Sequence, residues 1–347
     1  MKEKDQFYED VENVLKRSAW SDSNDYRLIN IEDGKNNQAF EVRGEKERFF
    51  LKRFYKDAKK SQKRLFAEFS FAQFAWKCGV RNLPQPISYD RKYGIAIYEY
   101  IKGRKLKPEE INEEIIEKAI KFFCDINYSG VFDDAQYLPL AAEACFSLKD
   151  HISCVDRRVK CLRGLHSVKI NTDVGVFLKE ELPKLWDRVQ SRVKHAIELS
   201  GHDLNKRLET KQWCLSPSDF GFHNAFLTEK GEIKFFDFEH AGWDDPAKTI
   251  CDFFYQEAVP VSMKYYKMFS QAIVSNIPDR EFHLQRARLL LPVYKVKWCT
   301  IMMNDFLPEG EKRHRFVYGT SREWERKSLQ LRKAQSLAAS LKEELNI

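Results

Sequence analysis

The sequence predicts an α+β protein of two lobes, in which an antiparallel sheet with one key helix is followed by a mainly helical part. Two hairpin patterns and a single helical pattern fill the chain up to Ile101. Beyond Ile101, apolar residues recur mostly at the 3.6-residue spacing of amphipathic helices. This change predicts an N-lobe of residues 1–101 and a C-lobe of residues 102–347.

The first hairpin places a lysine inside a strand. Residues 39–43 alternate apolar and polar side chains, residues 44–47 supply a turn, and residues 49–54 return. Alternation around a turn of this kind is typical of a β-hairpin. Lys52 is therefore predicted to lie in the second strand.

A helix and a second hairpin complete the predicted N-lobe. Residues 58–78 carry apolar side chains at helical spacing, and this helix includes Glu68. Residues 86–90 and 94–101 predict the second hairpin, which a short linker follows.

The C-lobe is predicted to contain several helices and a small β-rich island. Helices are expected over residues 107–127, 138–151, 154–165, 182–199 and 321–345, the last with Thr320 and Glu323 as a capping box. The island consists of three short apolar runs at residues 212–215, 225–227 and 232–236. The role of residues 132–175 stays open.

Composition excludes several classes of protein. The chain has 347 residues, 43% of them hydrophobic, and a formal charge of +7. A charge this mild suits an anionic ligand such as a nucleotide without indicating nucleic acid, and the seven basic residues between Lys52 and Arg64 are expected to be solvated. No apolar run is long enough for a membrane span and the charged start lacks a signal-peptide pattern, so we expect a cytoplasmic protein. Eight scattered cysteines without a Cys-x-x-Cys pair predict reduced thiols.

Three side chains suited to metal or proton chemistry lie close together in the sequence. Asp219 and Asn224 are five residues apart between two of the short apolar runs, and Asp237 closes the next run. A hairpin would bring all three to one end of the island. Because Mg²⁺ prefers carboxylate and amide oxygens together with substrate phosphates, Asn224 and Asp237 are candidate ligands, and Asp219 is left as a candidate base.

This pattern resembles the aminoglycoside phosphotransferase and choline kinase-like superfamily, small-molecule relatives of the protein kinases. The resemblance rests on Asp-x-x-x-x-Asn followed by Asp, and on Lys52 and Glu68, which are sixteen residues apart in a strand and the helix after it. It extends from about residue 31 to about residue 254 and implies a protein-kinase-like fold.

The resemblance also implies a role for each matching residue. Lys52 would contact the α- and β-phosphates of ATP, with Glu68 holding it in place. Asn224 and Asp237 would hold Mg²⁺, and Asp219 would accept or orient the proton of a substrate hydroxyl.

The adenine would lie between the lobes. The segment 98–101 resembles the hinge, where backbone groups of Glu99 and Ile101 would bind the adenine edge. The loop 34–37, which ends at Asn37, would cover the nucleotide.

Several positions depart from the family pattern. Pro217 stands where the family often has a supporting histidine, and the covering loop has only one glycine. Glu239 replaces the glycine that follows the metal-binding Asp-Phe of protein kinases. No room remains for an activation segment, which favours a small acceptor over a protein.

Four other polar residues near the motif are given lesser roles. His223 is expected to orient a neighbour or to bind backbone, and Asp252 to support the loop without touching substrate. Asp244 and Asp245 fit turn and helix-cap positions, although contact with a cationic substrate stays open.

The predicted activity is ATP- and Mg²⁺-dependent transfer of phosphate to a hydroxyl of a small metabolite. The acceptor could be a sugar, an amino alcohol, a glycan precursor or an aminoglycoside. Two alternatives remain, a protein kinase and a catalytically inactive nucleotide-binding module. The preference for ATP over GTP and the oligomeric state are left open.

Overall fold

Five antiparallel strands form the N-terminal sheet, in the spatial order β1-β2-β3-β5-β4. The computed structural model describes residues 2–17, 26–31, 37–56, 59–318 and 323–346. The strands are β1 Arg27–Ile31, β2 Gln38–Arg43, β3 Arg48–Arg53, β4 Pro86–Asp90 and β5 Ile95–Glu99. Both predicted hairpins are confirmed, as β2–β3 and β4–β5, and pairing of β3 with β5 joins them.

Two helices cover this sheet, one on each face. Helix α2, Lys59–Lys77, was predicted, whereas helix α1, Lys2–Leu15, was not. Leu51 packs with Val11 of α1 in one apolar cluster. Since successive strand residues point to opposite faces, its neighbour Lys52 faces α2.

The C-terminal part is mainly helical, as predicted. Its helices are α3 Glu113–Ile126, α4 Val131–Ala135, α5 Leu148–Arg163, α6 Asp173–Val176, α7 Leu182–Leu199, α8 Pro246–Tyr255, α9 Tyr266–Ile273, α10 Arg280–Met302, α11 Pro308–Tyr318 and α12 Glu323–Leu345. The described part of the chain contains no helix that is both long and apolar enough to cross a bilayer.

The β-rich island forms two small sheets. Its strands are β6 Gly103–Lys105, β7 Cys214–Ser216, β8 Ala225–Thr228, β9 Ile233–Phe235 and β10 Gly242–Asp244. One sheet has the order β6-β8-β9, and the other pairs β10 with β7. The predicted linker after the second hairpin is thus a strand, because β6 pairs with β8.

Four predicted helix boundaries were wrong, at residues 107, 138, 151 and 154. The helix expected over residues 107–127 begins only at Glu113, where Asn112 accepts a hydrogen bond from the N–H of Ile115. Residues 138–147 are not helical, since Leu140 forms a β-bridge with Trp243 instead. The helix begins at Leu148 and continues through the second predicted segment to Arg163 as α5. The cap predicted at Thr320 lies outside the described residues.

Side-chain contacts hold the β-rich island and the N-terminal sheet to their surroundings. Asn127, at the end of α3, accepts a hydrogen bond from the N–H of Leu215 at 2.7 Å and donates to the carbonyl of the same residue at 3.0 Å. In the N-lobe, Gln38 Nε2 donates to the carbonyl of Phe316 on α11 at 2.9 Å. The Phe316 ring also lies 5.3 Å from that of Tyr55, so α11 reaches back to the N-terminal sheet.

Candidate active site

Lys52 joins three segments that are far apart in the sequence. Its Nζ lies 2.6 Å from Glu68 Oε2 on α2 and 2.5 Å from Asp237 Oδ1, just after β9. Both Lys52 and Glu68 are buried, whereas the Asp237 side chain is 32% exposed. The structure therefore brings together the lysine, the glutamate and one of the two candidate metal ligands.

Burial and the neighbouring charges in this group shift the pKa values of its members. Burial lowers the pKa of Lys52, but the carboxylates of Asp237 and Glu68 outweigh it and raise this pKa above its ordinary value, so the ammonium stays charged. Burial raises the pKa of Glu68 to about 7, although Lys52 opposes the change.

Glu239 is a third carboxylate in the same group. Among the described residues, ligand oxygens of Glu68, Asp237 and Glu239 lie within 4.8 Å of one another. Burial acts to raise the pKa of Glu239, but Lys52, His240 and Arg64 lower it to about 2. Three acidic groups thus surround one lysine, an arrangement whose charge favours a further cation.

Asn37 connects the N-lobe to Glu239. Its Nδ2 donates to Glu239 Oε2 at 2.7 Å, and its Oδ1 accepts a hydrogen bond from the N–H of Tyr55 at 3.1 Å. Residues 34–36 of the predicted covering loop lie outside the described residues. Both polar atoms of the Asn37 carboxamide are therefore hydrogen-bonded to protein groups. Sequence analysis did not predict the contact to Glu239, which it treated only as a departure from the family pattern.

The Asn37–Glu239 contact gives a prediction about stability. Asn37→Asp is expected to lower the free energy of unfolding by about 2–3 kcal/mol, because it replaces a hydrogen bond to a buried carboxylate by repulsion between two carboxylates. Adding Glu239→Gln should restore much of the loss, since the new amide can donate to Asp at position 37. Urea unfolding of the two single variants and the double variant measures this, and a double variant no more stable than Asn37→Asp would contradict it.

The loop after β7 presents Asp219. Ser216 Oγ accepts hydrogen bonds from the N–H of Ser218 at 3.0 Å and from Thr249 Oγ1 at 2.8 Å. Ser218 has φ of 67°, in the left-handed region, and so turns the chain sharply just before Asp219. The Asp219 side chain is 41% exposed, which leaves it accessible to a substrate.

Two neighbours hold the Asp219 carboxylate. Asn224 Nδ2 donates to the Asp219 carbonyl at 3.0 Å and to Oδ2 at 3.3 Å. His223 Nε2 lies 3.2 Å from Oδ1. The carbonyl of Asn224 accepts a hydrogen bond from the N–H of Phe236, which places Asn224 beside the residue that precedes Asp237.

The predicted hinge lies at the end of β5. The N–H of Glu99 donates to the carbonyl of Gln85 at 2.9 Å, and Glu99 Oε2 accepts from the N–H of Gln85 at 3.1 Å. Ile101 follows the strand and is half-buried. Adenine binding by the backbone of these two residues stays a prediction.

The other three acidic candidates make contacts that stabilise the fold. Asp244 and Asp245 are fully buried, and Asp245 caps α8 through the N–H of Ala247 at 2.8 Å. Their burial argues against contact with a cationic substrate. Asp252 accepts hydrogen bonds from Lys297 Nζ at 2.8 Å and from Trp298 Nε1 at 2.9 Å, so it joins α8 to α10.

Comparison with known proteins identifies the family. Residues 27–255 match the family described as "Phosphotransferase enzyme family". The chain therefore belongs to this family. The matched residues agree closely with the range of about 31 to 254 over which the sequence motifs suggested a resemblance. The comparison with curated protein sequences found no match.

Solved structures with the same fold include three kinases of small molecules. The GDP complex of wild-type aminoglycoside 2'-phosphotransferase-IIIa has 13% identity and a TM-score of 0.57, and the similarity covers 95% of this chain and 98% of that one. Choline kinase from Cryptosporidium parvum Iowa II has 14% identity and a TM-score of 0.54, with coverages of 96% and 99%. Ethanolamine kinase from Plasmodium vivax has 15% identity and a TM-score of 0.54, with coverages of 87% and 84%.

These likenesses confirm the predicted two-lobe protein-kinase-like fold. The family match confirms the predicted class of enzyme, a phosphotransferase.

Proposed function

We propose that this enzyme uses ATP and Mg²⁺ to phosphorylate a hydroxyl of a small metabolite, with Asp219 as the catalytic base. The observation that carries the proposal is Lys52, held as a charged ammonium between Glu68 and Asp237 at the junction of the two lobes. A fixed cation there would bind the α- and β-phosphates without rearrangement. That the structures of similar fold include a nucleotide complex also supports nucleotide binding.

The donor groups fit a magnesium ion. Asp237 and Asn224 offer hard oxygen atoms of the kind Mg²⁺ prefers, and the surplus of carboxylates around Lys52 favours a cation. When bound, Mg²⁺ would neutralise charge on the β- and γ-phosphates. Asp219 would accept the proton from the acceptor hydroxyl as its oxygen forms a bond to the γ-phosphorus and the bond from phosphorus to the ADP oxygen breaks.

The size of the segment after Asp237 favours a small acceptor over a protein. Only eight residues separate Asp237 from Pro246, the first residue of α8. Glu239, Asp244 and Asp245 within this segment are buried. A protein kinase needs an exposed, mobile activation segment at this place. The eight residues here are too few to form one.

Nucleotide binding can be tested without knowledge of the acceptor. We expect Mg²⁺–ATP at about 100 times its dissociation constant to add about 2.7 kcal/mol to the apparent stability, which a thermal-shift assay detects as a higher melting temperature. ATP with EDTA should give a much smaller shift, because the phosphates would then face the carboxylates without the metal. No shift with Mg²⁺–ATP would favour the inactive-module alternative, and parallel titration with GTP decides the nucleotide preference.

The acceptor requires a panel of compounds. Radiolabelled ATP should transfer phosphate to at least one compound in a panel of sugars, amino alcohols, glycan precursors and aminoglycosides. Generic protein acceptors serve as the comparison. Label in protein but in none of the small molecules would overturn the proposed substrate class.

A further inference from the structure

The imidazole of His223 is seated directly against the proposed base. His223 lies in the short turn Phe222–Asn224, and its side chain is only 14% exposed. Its Nε2 is 3.2 Å from Asp219 Oδ1, whereas its Nδ1 is buried without a hydrogen-bond partner among the described residues. The ring therefore directs its one polar contact to Asp219.

The chemistry of the two groups assigns the proton. An ionised carboxylate can only accept hydrogen bonds, so Nε2 must donate to Asp219. The tautomer that carries its proton on Nε2 meets this requirement. The contact is thus a donor from His223 to the base, and it makes His223 unsuited to accept the substrate proton through Nε2.

The surrounding chain is shaped to hold the ring in this place. A Cβ atom on Gly221 would lie 2.9 Å from His223 Nδ1 and 3.0 Å from Gln256 Cγ, closer than side chains tolerate. Gly221 has φ of 171°, extended backbone open to any residue, so the space for the ring is what requires glycine there. Lys105 Nζ donates to the His223 carbonyl at 3.0 Å and fixes the backbone from β6.

We propose that His223 is a positioning residue for phosphoryl transfer, which holds the Asp219 carboxylate in the orientation that receives the acceptor hydroxyl. This inference rests on the proposed function of Asp219. Pro217 stands where the family often has a histidine, and a proline side chain cannot donate a hydrogen bond. His223 supplies a donor to one oxygen of the base, while Asn224 Nδ2 lies 3.3 Å from the other.

The kinetic test compares variants at position 223. His223→Leu, which removes the donor, should lower kcat by about 10–100-fold and change KM for ATP by less than about threefold, because a misoriented base slows the transfer step alone. His223→Gln, whose amide can replace Nε2, should keep kcat within about fivefold of the wild type. His195→Gln, at an exposed position on α7, is the matched control and should leave both constants unchanged.

Coupling to Asp219 separates a positioning role from a structural one. If His223 acts only through Asp219, adding His223→Leu to Asp219→Asn should lower the remaining turnover no further. Multiplied losses in the double variant, or equal losses of kcat and thermal stability in His223→Leu and His223→Gln, would overturn the proposal.

A spectroscopic test needs no acceptor and no turnover. In the full chain labelled with ¹⁵N-histidine, the His223 signals should report a proton on Nε2 and should shift in Asp219→Asn, while those of His195 should not. A proton on Nδ1, or signals that Asp219→Asn leaves unchanged, would overturn the proposed contact. Because this readout is independent of activity, an inactive wild type would count against the proposed function without deciding the role of His223.

Discussion

Asp219→Asn is expected to lower kcat for phosphate transfer by about 10²–10⁴-fold, the range that a positioned general base contributes. Asparagine keeps the shape of the side chain, and its single carbonyl oxygen can accept a hydrogen bond from either His223 or Asn224, but not from both. It cannot take a proton from the acceptor. Lys52, which is proposed to bind the phosphates, is held by Glu68 and Asp237, so Mg²⁺–ATP should stabilise the variant as it does the wild type.

Two measurements on the same samples test this expectation. Initial rates of transfer give kcat, and the thermal shift with Mg²⁺–ATP gives nucleotide binding. Asp187→Asn, on an exposed part of α7, changes the same functional group away from the site and serves as the control. Turnover within about tenfold of the wild type in Asp219→Asn would show that Asp219 is not the base.

Lys52→Met should have the largest effect on stability. It leaves the buried carboxylates of Glu68 and Glu239, with Asp237 beside them, without their central cation. Removing one partner of a buried ion pair costs about 3–5 kcal/mol, and we expect a loss of free energy of unfolding in this range. The same change should remove the stabilisation by Mg²⁺–ATP, because the cation proposed to bind the phosphates is gone.

Matched variants separate these two effects. Lys16→Met removes an exposed lysine that pairs with Glu12 at 3.4 Å, and it should cost no more than about 0.5 kcal/mol. Adding Glu68→Gln to Lys52→Met should recover part of the stability but not the nucleotide-dependent shift, since one unpaired charge is removed and the phosphate contact stays absent. Urea unfolding of Lys52→Met within about 1 kcal/mol of the wild type would contradict the role of Lys52 as the centre of this charge group.

The parts of the site that the sequence revealed are those carried by local patterns. Hydrophobic periodicity was enough to place Lys52 on a strand and Glu68 on the helix after it, while their pairing followed from the resemblance to a known family. Asp219 and Asn224 lie on one short loop, where spacing alone limits their separation. Asp237 was placed near them by the hairpin expected from the short apolar runs, which the structure forms as β8 and β9.

The features that were missed depend on contacts between distant segments. Asn37 and Glu239 are 202 positions apart, and neither residue type signals the other. Residues 138–147 look helical by composition, but pairing of Leu140 with Trp243, about a hundred positions away, outweighs that local preference. Helix α1 did carry a signal, with Phe7, Val11 and Val14 at helical spacing.

The contact of α11 with the N-terminal sheet limits how the two lobes can move apart. A lobe joined to its neighbour through a single connecting strand would swing freely about that strand. Here the hydrogen bond from Gln38 to Phe316 adds to the Lys52–Asp237 and Asn37–Glu239 contacts, which also join the N-terminal sheet to the C-terminal part. Any motion that takes β2 away from α11 must break this hydrogen bond or carry α11 with it.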